Sequence, residues 1–413
     1  MEYMSIQEFA EKWNISKRRI QILCREGRIK GARMIGNMWA IPENAVRPAD
    51  ARTKNPVIVS SKVEVSNVRR ELKKLLKQLY KITESLEVTE KERRNGVLSV
   101  IACGLCVFYL KEKTISKEIK QKIYRDISGK ESASISDDEI AGQVLDFIEK
   151  NKNDRELDNL LSWAYQYTNK IIKGNVHSRT QFFTEKYMIN YLIQNVSGLQ
   201  NADKIVDPCA GGGNFLVECL EFICTQDKES EKDFIQKIIS NVTRLYGYDI
   251  DSDITGIALV NIRLRAFAIF NRRNIEFSFE LWDKICPNIF RSSFPDNVCG
   301  SLATDNRMVI NIINGDETGM DLALGDADIV LTNPPFATIK GMLSEQKDFL
   351  KKNYPDANCD MCVSFFDAIY KMLKRSGVCG IVTQNSWMHL KTFKKIRERI
   401  TAQYCIHKIV NLG

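Results

Sequence analysis

From about residue 203 onward, short β-rich apolar runs alternate with longer stretches of helical periodicity. The runs are KIVD (204–207), RLYGYDI (244–250), MVINIINGD (308–316), ADIVLTNPPF (327–336), VCGIVTQ (378–384) and CIHKIVNL (405–412). Between them lie NFLVECLEFICT (214–225), ITGIALVNIRLRAFAIF (254–270), SFFDAIYKMLKRSG (364–377), with Gly377 as its stop, and LKTFKKIRERITAQ (390–403). Strands buried on both faces read as apolar runs, and helices between them are the connections that parallel strands require. The pattern therefore predicts an α/β fold, a parallel sheet covered by helices on both faces. Such sheets bind ligands at the carboxyl ends of their strands, so each strand end is a candidate site.

The first strand runs into Asp207-Pro208-Cys209-Ala210-Gly211-Gly212-Gly213-Asn214-Phe215. Glycines between a strand and a helix let a ligand approach the backbone. The spacing does not fit the dinucleotide fingerprint. The second strand ends in Gly247-Tyr248-Asp249-Ile250-Asp251; a carboxylate there is placed to hold two ribose hydroxyls, and Asp251 fits a helix N-cap. The charged stretch from Gln226 to Asp233 reads as a surface insertion between them. Asn314-Gly315-Asp316 reads as the third strand end, its carboxylate able to accept from a heteroaromatic amine or to cap a turn. The fourth strand stops at Asn333-Pro334-Pro335-Phe336, where two prolines cannot donate to a ladder.

Residues 1–50 form a different unit. Ser5 caps a helix with Phe9, Ala10 and Trp13 inward; Ser16 caps a second with Ile20 and Leu23 inward and Lys17, Arg18, Arg19 and Arg25 outward. Gly27 stops it, and a hairpin follows, turning at Gly36-Asn37. This helix, tight turn, basic helix and wing resemble the winged helix-turn-helix of MerR and excisionase-type DNA binders; a solvated cap or protein-docking unit is the alternative. Residues 51–60 read as a linker, and 61–176 as a helical domain with a long charged helix over 62–95 and a Ser/Asp-rich break at 132–138. The apolar run Val97–Leu110 is short for a bilayer and reads as a buried helix, so no membrane is expected.

Charge is uneven: residues 1–130 sum to +13 and residues 131–413 to −5. The polyanion-attracting part is thus the N-terminal third. Twelve scattered cysteines with no export signal read as free thiols in a reducing cytoplasm. Two Cys-x-x-Cys pairs, Cys103/Cys106 and Cys359/Cys362, lie far apart with three histidines in the whole chain, so no zinc site is expected.

Taken together, the glycine loop, the acidic second strand end, the Gly-Asp read as the third and Asn-Pro-Pro-Phe resemble adenine-N6 DNA methyltransferases dependent on S-adenosylmethionine. The resemblance covers 177–413 and is to type I modification subunits and the methyltransferase parts of fused restriction–modification and phage-defence enzymes. QFFTEKYMINYLI (181–193) resembles the Phe-Thr-Pro segment of these enzymes, with Glu185 where proline is usual. The resemblance implies a Rossmann-like sheet of order 3-2-1-4-5-7-6, cytoplasmic and site-specific methylation of double-stranded DNA, and no metal. It assigns Asn333, Pro334, Pro335 and Phe336 to the flipped base. To S-adenosylmethionine it assigns Thr184, Asp207, Cys209, Gly211, Gly213, Asn214, Phe215, Asp249, Ile250 and Asp316, with Phe182 packing beside it. Cys209 is read as a small packing residue of the loop, not a nucleophile. The rivals are N5 methylation of a protein glutamine and a non-catalytic DNA-binding fragment. With no residues left for a seventh strand or a target-recognition domain, a longer protein or a separate specificity or restriction subunit is expected.

Overall fold

The structure is a computed structural model, and it describes residues 3–13, 15–25, 27–35, 38–46, 67–131, 138–171, 184–224, 230–292, 300–302, 307–320 and 325–411. The linker, the Gly36-Asn37 turn, residues 132–137 of the Ser/Asp-rich break and Phe182 lie outside them. Two compact units are formed, Met1–Glu64 and Val65–Gly413.

In the first unit, β1 (Tyr3–Met4), α1 (Ile6–Trp13), α2 (Lys17–Arg25), β2 (Arg33–Ile35) and β3 (Met38–Pro42) follow in order. Ser5 and Glu8 cap α1 reciprocally: Ser5 N donates to the Glu8 carboxylate at 2.7 Å and Glu8 N to Ser5 Oγ at 3.3 Å. Ser16 Oγ accepts from Arg19 N at the start of α2. Phe9, Trp13, Ile20, Leu23, Ile29 and Ile41 close the core. Lys17, Arg18 and Arg25 stay exposed, and the strands pair antiparallel in the order β1-β3-β2.

The second unit opens with helices α3 (Asn67–Ile82), α4 (Glu90–Leu110), α5 (Lys117–Ser128), α6 (Asp138–Lys150) and α7 (Leu160–Ile171). The helix expected over 62–95 is two helices. Thr89 caps α4 by accepting from Glu92 N, and the Glu92 carboxylate accepts in return from Thr89 N. Helix α4 is long and apolar enough to cross a membrane, but 78% of its most apolar window is buried inside the protein, so it is a core helix.

Next come α8 (Lys186–Asn195), β4 (Ile205–Asp207), α9 (Asn214–Cys224), α10 (Glu231–Val242), β5 (Leu245–Asp249), α11 (Ser252–Arg272) and β6 (Asn288–Ser292). The chain continues through β7 (Arg307–Asn311), β8 (Glu317–Met320), β9 (Ala327–Thr332), α12 (Ser344–Asn353), α13 (Met361–Met372), β10 (Leu373–Ile381), α14 (Ser386–His389) and α15 (Lys394–Gln403). The sheet order is β10-β9-β4-β5-β6-β7-β8. The five strands from β10 to β6 run parallel, β7 pairs antiparallel with β6, and β8 pairs antiparallel with β7. This is the expected 3-2-1-4-5 arrangement, with α9 and α11 on one face and α13 on the other.

Four sequence expectations change. The third parallel strand is Asn288–Ser292, not 308–316, which instead forms the β7–β8 hairpin. The charged stretch after Gln226 leads into a regular helix, α10, capped by Ser230. Helix α13 ends at Met372 rather than Gly377, because the chain passes straight into β10, where Gly377 lies in a bulged segment. Residues 405–411 form no strand, and Ile406, Ile409 and Val410 are about half exposed.

One hydrophobic cluster runs through α3–α7, α8, α9, α11 and the sheet. Its closest approach is at Gly256 of α11, where a Cβ would lie 2.6 Å from the carbonyl oxygens of both Asp126 and Ile127 at the end of α5. Gly142 on α6 has nothing within 4 Å of the same point. Gly256→Ala is expected to destabilise the chain by about 2 kcal/mol, because backbone rather than a side-chain tip must move. Gly142→Ala is expected to stabilise it by about 1 kcal/mol through helix propensity. Urea unfolding followed by circular dichroism checks both signs.

Candidate active site at the strand ends

Strand β4 is the shortest of the central strands, and the site grows from that shortness. Asp207, its last residue, is level with Gly247 of β5, and Val206 is level with Val330 of β9. Asp249 and Asn333 therefore each stand two residues beyond the level of Asp207, on the strands flanking it. The loop Pro208–Gly213 turns in the notch between them.

Hydrogen bonds hold this loop in one shape. Asp207 Oδ1 accepts from Cys209 N at 3.1 Å, Tyr248 O from Ala210 N at 2.9 Å, and Asp249 Oδ2 from Gly211 N at 2.9 Å. Gly211 and Gly213 have φ of +51° and +79°, which only glycine adopts without strain. At Gly213 a Cβ would also lie 3.2 Å from Ala258 of α11. The second Asp249 oxygen accepts from Asp251 N at 2.9 Å, and Asp251 caps α11 through Asp253 N. Ile250, beside Asp249, is 41% exposed, an apolar surface beside a carboxylate.

Both acids are hard to ionise. Burial pushes Asp207 up to about 7, against the Thr332 hydroxyl and the Cys209 N–H, while nearby Asp249 adds to the rise. Burial likewise pushes Asp249 up to about 6, against the N–H groups of Asp251 and Gly211. The Cys209 thiol is pushed far up by burial and by the two carboxylates, which keeps it protonated and unfit as a nucleophile. It packs 4.0 Å from Ser301 Oγ, which donates to Pro208 O.

Beyond β9, residues 333–337 leave regular structure. Ala337 N donates to Pro335 O at 3.2 Å, Ala337 O accepts from Met361 N at 2.9 Å, and Thr338 bridges to Asp360. The loop is thus tied to the start of α13. Pro334 is buried; Pro335 and Phe336 are half-buried. Asn333 Nδ2 donates to Thr184 Oγ1 at 3.0 Å, so the amide nitrogen faces Thr184 and the carbonyl end faces away from it.

Most of the residues singled out in the sequence converge here: Thr184, Asp207, Cys209, Gly211, Gly213, Asp249, Ile250 and Asn333 to Phe336. Three do not. Asp316 sits exposed in the turn between β7 and β8; because β7 runs back along β6, that turn lies at the opposite edge of the sheet. It cannot serve a cofactor at the strand carboxyl ends. Phe215 is 3% exposed in the main core, where it packs under the loop. Asn214 turns its Oδ1 to Ser162 of α7, 2.8 Å away. Glu185, at the proline position, pairs with Arg69 of α3 at 3.1 Å, and Arg69 lies over the Trp163 ring. Sequence reading missed Ser162, Tyr165 and Asn261, whose polar groups reach the loop and the Asp249 corner from helices that carry no motif. Among the described residues no group of three or more His, Cys, Asp or Glu side chains is placed to hold a metal.

Three family models match parts of the chain. The Eco57I restriction-modification methylase family matches residues 243–413, the N-6 DNA methylase family residues 157–278, and a helix-turn-helix domain family residues 3–47. The adenine-specific methyltransferase BrxX of Escherichia coli O9:H4 (strain HS) is 21% identical over 386 residues, covering 63% of this chain and 32% of that protein. The adenine-specific methyltransferase PglX of Lacticaseibacillus casei (strain Zhang) is 22% identical over 397 residues, covering 66% and 32%. The chain therefore spans about a third of the length of these relatives. Among solved structures, the type IIL restriction-modification enzyme MmeI in complex with DNA is similar with a TM-score of 0.47 at 14% identity, over 81% of this chain and 52% of that one. The DrdV–DNA complex gives 0.46 at 17% identity, over 82% and 37%. By these matches, residues 157–413 are similar to methylases of the N-6 DNA methylase and Eco57I restriction-modification families, and residues 3–47 to helix-turn-helix domains.

Proposed function

We propose that residues 177–413 methylate the N6 amino group of an adenine flipped out of double-stranded DNA, with S-adenosylmethionine as donor, in a cytoplasmic restriction–modification or phage-defence system. The observation that carries this reading is the shared edge: Asn333-Pro334-Pro335-Phe336 and Asp249 flank one glycine loop at the same height above the sheet. The two relatives named as adenine-specific methyltransferases support adenine as the acceptor.

The residues at the edge fit S-adenosylmethionine. The Asp249 carboxylate is placed for ribose hydroxyls, Ile250 offers an apolar surface for a purine, and the backbone at Gly211, where a Cβ would meet only Ile254 at 3.8 Å, admits a close approach. Bound there, the cofactor supplies an electrophilic methyl group. The acceptor side belongs to this chain. An exocyclic adenine nitrogen is a poor nucleophile because its lone pair is delocalised into the ring. Asn333 Oδ1 and Pro334 O would each accept one amino hydrogen, which draws the nitrogen toward tetrahedral geometry and frees its lone pair. Thr184 accepts from Asn333 Nδ2 and so keeps the amide from turning over. Phe336 would stack on the flipped base, worth roughly 1–3 kcal/mol. Catalysis of this kind is positioning and preorganised electrostatics.

The DNA part of the reading rests on charge. On α3 the exposed side chains Arg70, Lys73, Lys74, Lys77 and Lys81 follow one helical face, and α2 exposes Lys17, Arg18 and Arg25. Both fit phosphate contact. A separate specificity or restriction subunit belongs to the same proposal.

Four outcomes are expected. Asp249→Ala raises the dissociation constant for S-adenosylmethionine at least tenfold by calorimetry. Asn333→Ala leaves that constant unchanged and lowers the methyl-transfer rate by about 10²–10³-fold; equal effects from both would undo the division of roles. Binding also depends on pH. Ionised Asp249 is the acceptor, so affinity is flat above about pH 7 and falls as pH drops through about 6, approaching tenfold per pH unit. Asp207 and Asp251 are its acidic neighbours, and Asp249→Asn is expected to flatten the profile, which assigns it to Asp249. Finally, tritiated methyl transfer to mixed duplex DNA and protein acceptors is expected to label DNA at adenine. Label at a protein glutamine would favour N5 methylation, since an Asn-Pro-Pro-aromatic turn grips any planar amino group. Label in neither would favour a non-catalytic fragment.

A further inference from the structure

Helix α7 lies outside the strand–helix alternation, yet it reaches the glycine loop and the corner beside Asp249. Ser162, Tyr165 and Asn169 fall on one face of it, at spacings of three and four residues. Ser162, 3% exposed, donates from Oγ to Asn214 Oδ1 at 2.8 Å and accepts at 2.8 Å from Asn261 Nδ2. Asn261 Nδ2 also donates to Gly212 O at 2.8 Å. The glycine loop is thereby gripped at its middle carbonyl and at its exit residue. One turn further along, Tyr165, fully buried, donates its hydroxyl to Asp251 Oδ2 at 3.3 Å. Asp251 is the residue whose N–H holds Asp249 Oδ1. Burial and the neighbouring Asp251 hold the Tyr165 phenol well above its ordinary range, so it remains a donor at any working pH. A further turn on, Asn169 Oδ1 accepts from Arg94 of α4 at 3.0 Å, and Arg94 pairs at 2.7 Å with Asp253 in the first turn of α11.

We propose that α7 is a built-in clamp for the cofactor cradle, with Ser162 and Tyr165 as positioning residues for the glycine loop and for Asp249. The proposal rests on the reading of this edge as the S-adenosylmethionine site. Its physical basis is preorganisation. A loop with two positive-φ glycines has many alternative shapes, and a ligand that must select one of them loses affinity. Hydroxyls buried between two walls favour a single shape before the ligand arrives. The clamp also makes the helical segment a contributor to cofactor affinity, although none of its residues need touch the cofactor.

The test uses the full 413-residue chain and S-adenosylmethionine itself as the probe. Ser162→Ala removes the hydrogen bonds to Asn214 and from Asn261, and Tyr165→Phe removes the one to Asp251. Each is expected to raise the calorimetric dissociation constant about fivefold, and the pair about twenty-fold, with the rate at saturating cofactor within about twofold of the parent. Ser162→Thr keeps the hydroxyl and is expected to restore affinity. Ile148→Val, a core truncation between α6 and α4 away from the edge, is expected to lower the thermal midpoint without moving the constant. An unchanged constant in the double variant overturns the proposal, as does an equal loss in Ile148→Val. Asp249→Ala is measured alongside. If it loses binding while the α7 variants keep it, the clamp alone fails; if it keeps binding, the site reading fails and the clamp with it.

Discussion

Helix α11 has no solvent face for most of its length, and the second unit is built around that fact. Every residue from Ile254 to Phe270 is buried. Such a helix needs walls on all sides, and here the walls are β5, β6 and α9 on the sheet side and α4, α5 and α7 on the other. Two arginines, Arg263 and Arg265, lie inside the packing with 2% exposure or less. Arg263 meets Asp126 of α5 at 2.6 Å and donates to Ile285 O; the same Asp126 oxygen accepts from the Trp282 indole. Arg265 pairs with Glu218 at 3.1 Å and Glu221 at 3.3 Å, both on α9. Burial alone would lower the Arg265 pKa, but the charges of Glu218, Asp158 and Glu221 outweigh it and hold the guanidinium charged. A buried ion whose partner is removed costs several kcal/mol, so these pairs lock which helices must pack together.

That constraint explains why the strand-end site has supports in two distant parts of the chain. Helix α11 starts at the Asp249 corner, and its Ala258 lies under Gly213. Whatever holds α11 also holds the cradle. Glu185 adds a second tie: in place of a rigid proline, a carboxylate bonds Arg69 through both oxygens, and Arg69 also reaches Glu156. The entry to α8, and Thr184 with it, is thereby fastened to α3. At the position where the resemblance expects proline, this chain fastens the segment by an ion pair.

The parts of this fold that were legible in the sequence are those with a strong local signal. Apolar runs bounded by glycine or proline gave β4, β5 and β9, and unbroken helical periodicity gave α9 and α11. The third strand was not legible, because Asn288–Ser292 is short, follows Pro287 and carries Asn and Arg, while 308–313 offers better β-formers. Periodicity reports that a segment is extended, not which way it runs, so an antiparallel hairpin passed for a parallel strand and carried Asp316 with it. The break between α3 and α4 did leave a mark, Thr89-x-x-Glu92, a capping box hidden inside a charged stretch. Ser162 and Tyr165 left none: a lone hydroxyl on a buried helix face has no sequence signature, and its partners lie 52 and 86 residues away.

Chemistry and recruitment are written into different stretches of this chain. In the proposed function the strand-end site offers acceptors and a ring, which would select a planar amino group but not the polymer that carries it. Its surroundings do little to attract a polyanion, because residues 131–413 sum to −5. The positive charge sits on residues 1–130, where α2 and α3 expose bases along single faces. Attraction to phosphate is long-range and weakens with salt, whereas the proposed hydrogen bonds from Asn333 to an amino group would be short-range and shielded from it. On the proposed reading a chain so divided would separate the two steps: salt would govern how often DNA arrives, while the strand-end geometry would govern what happens to a base once it is there.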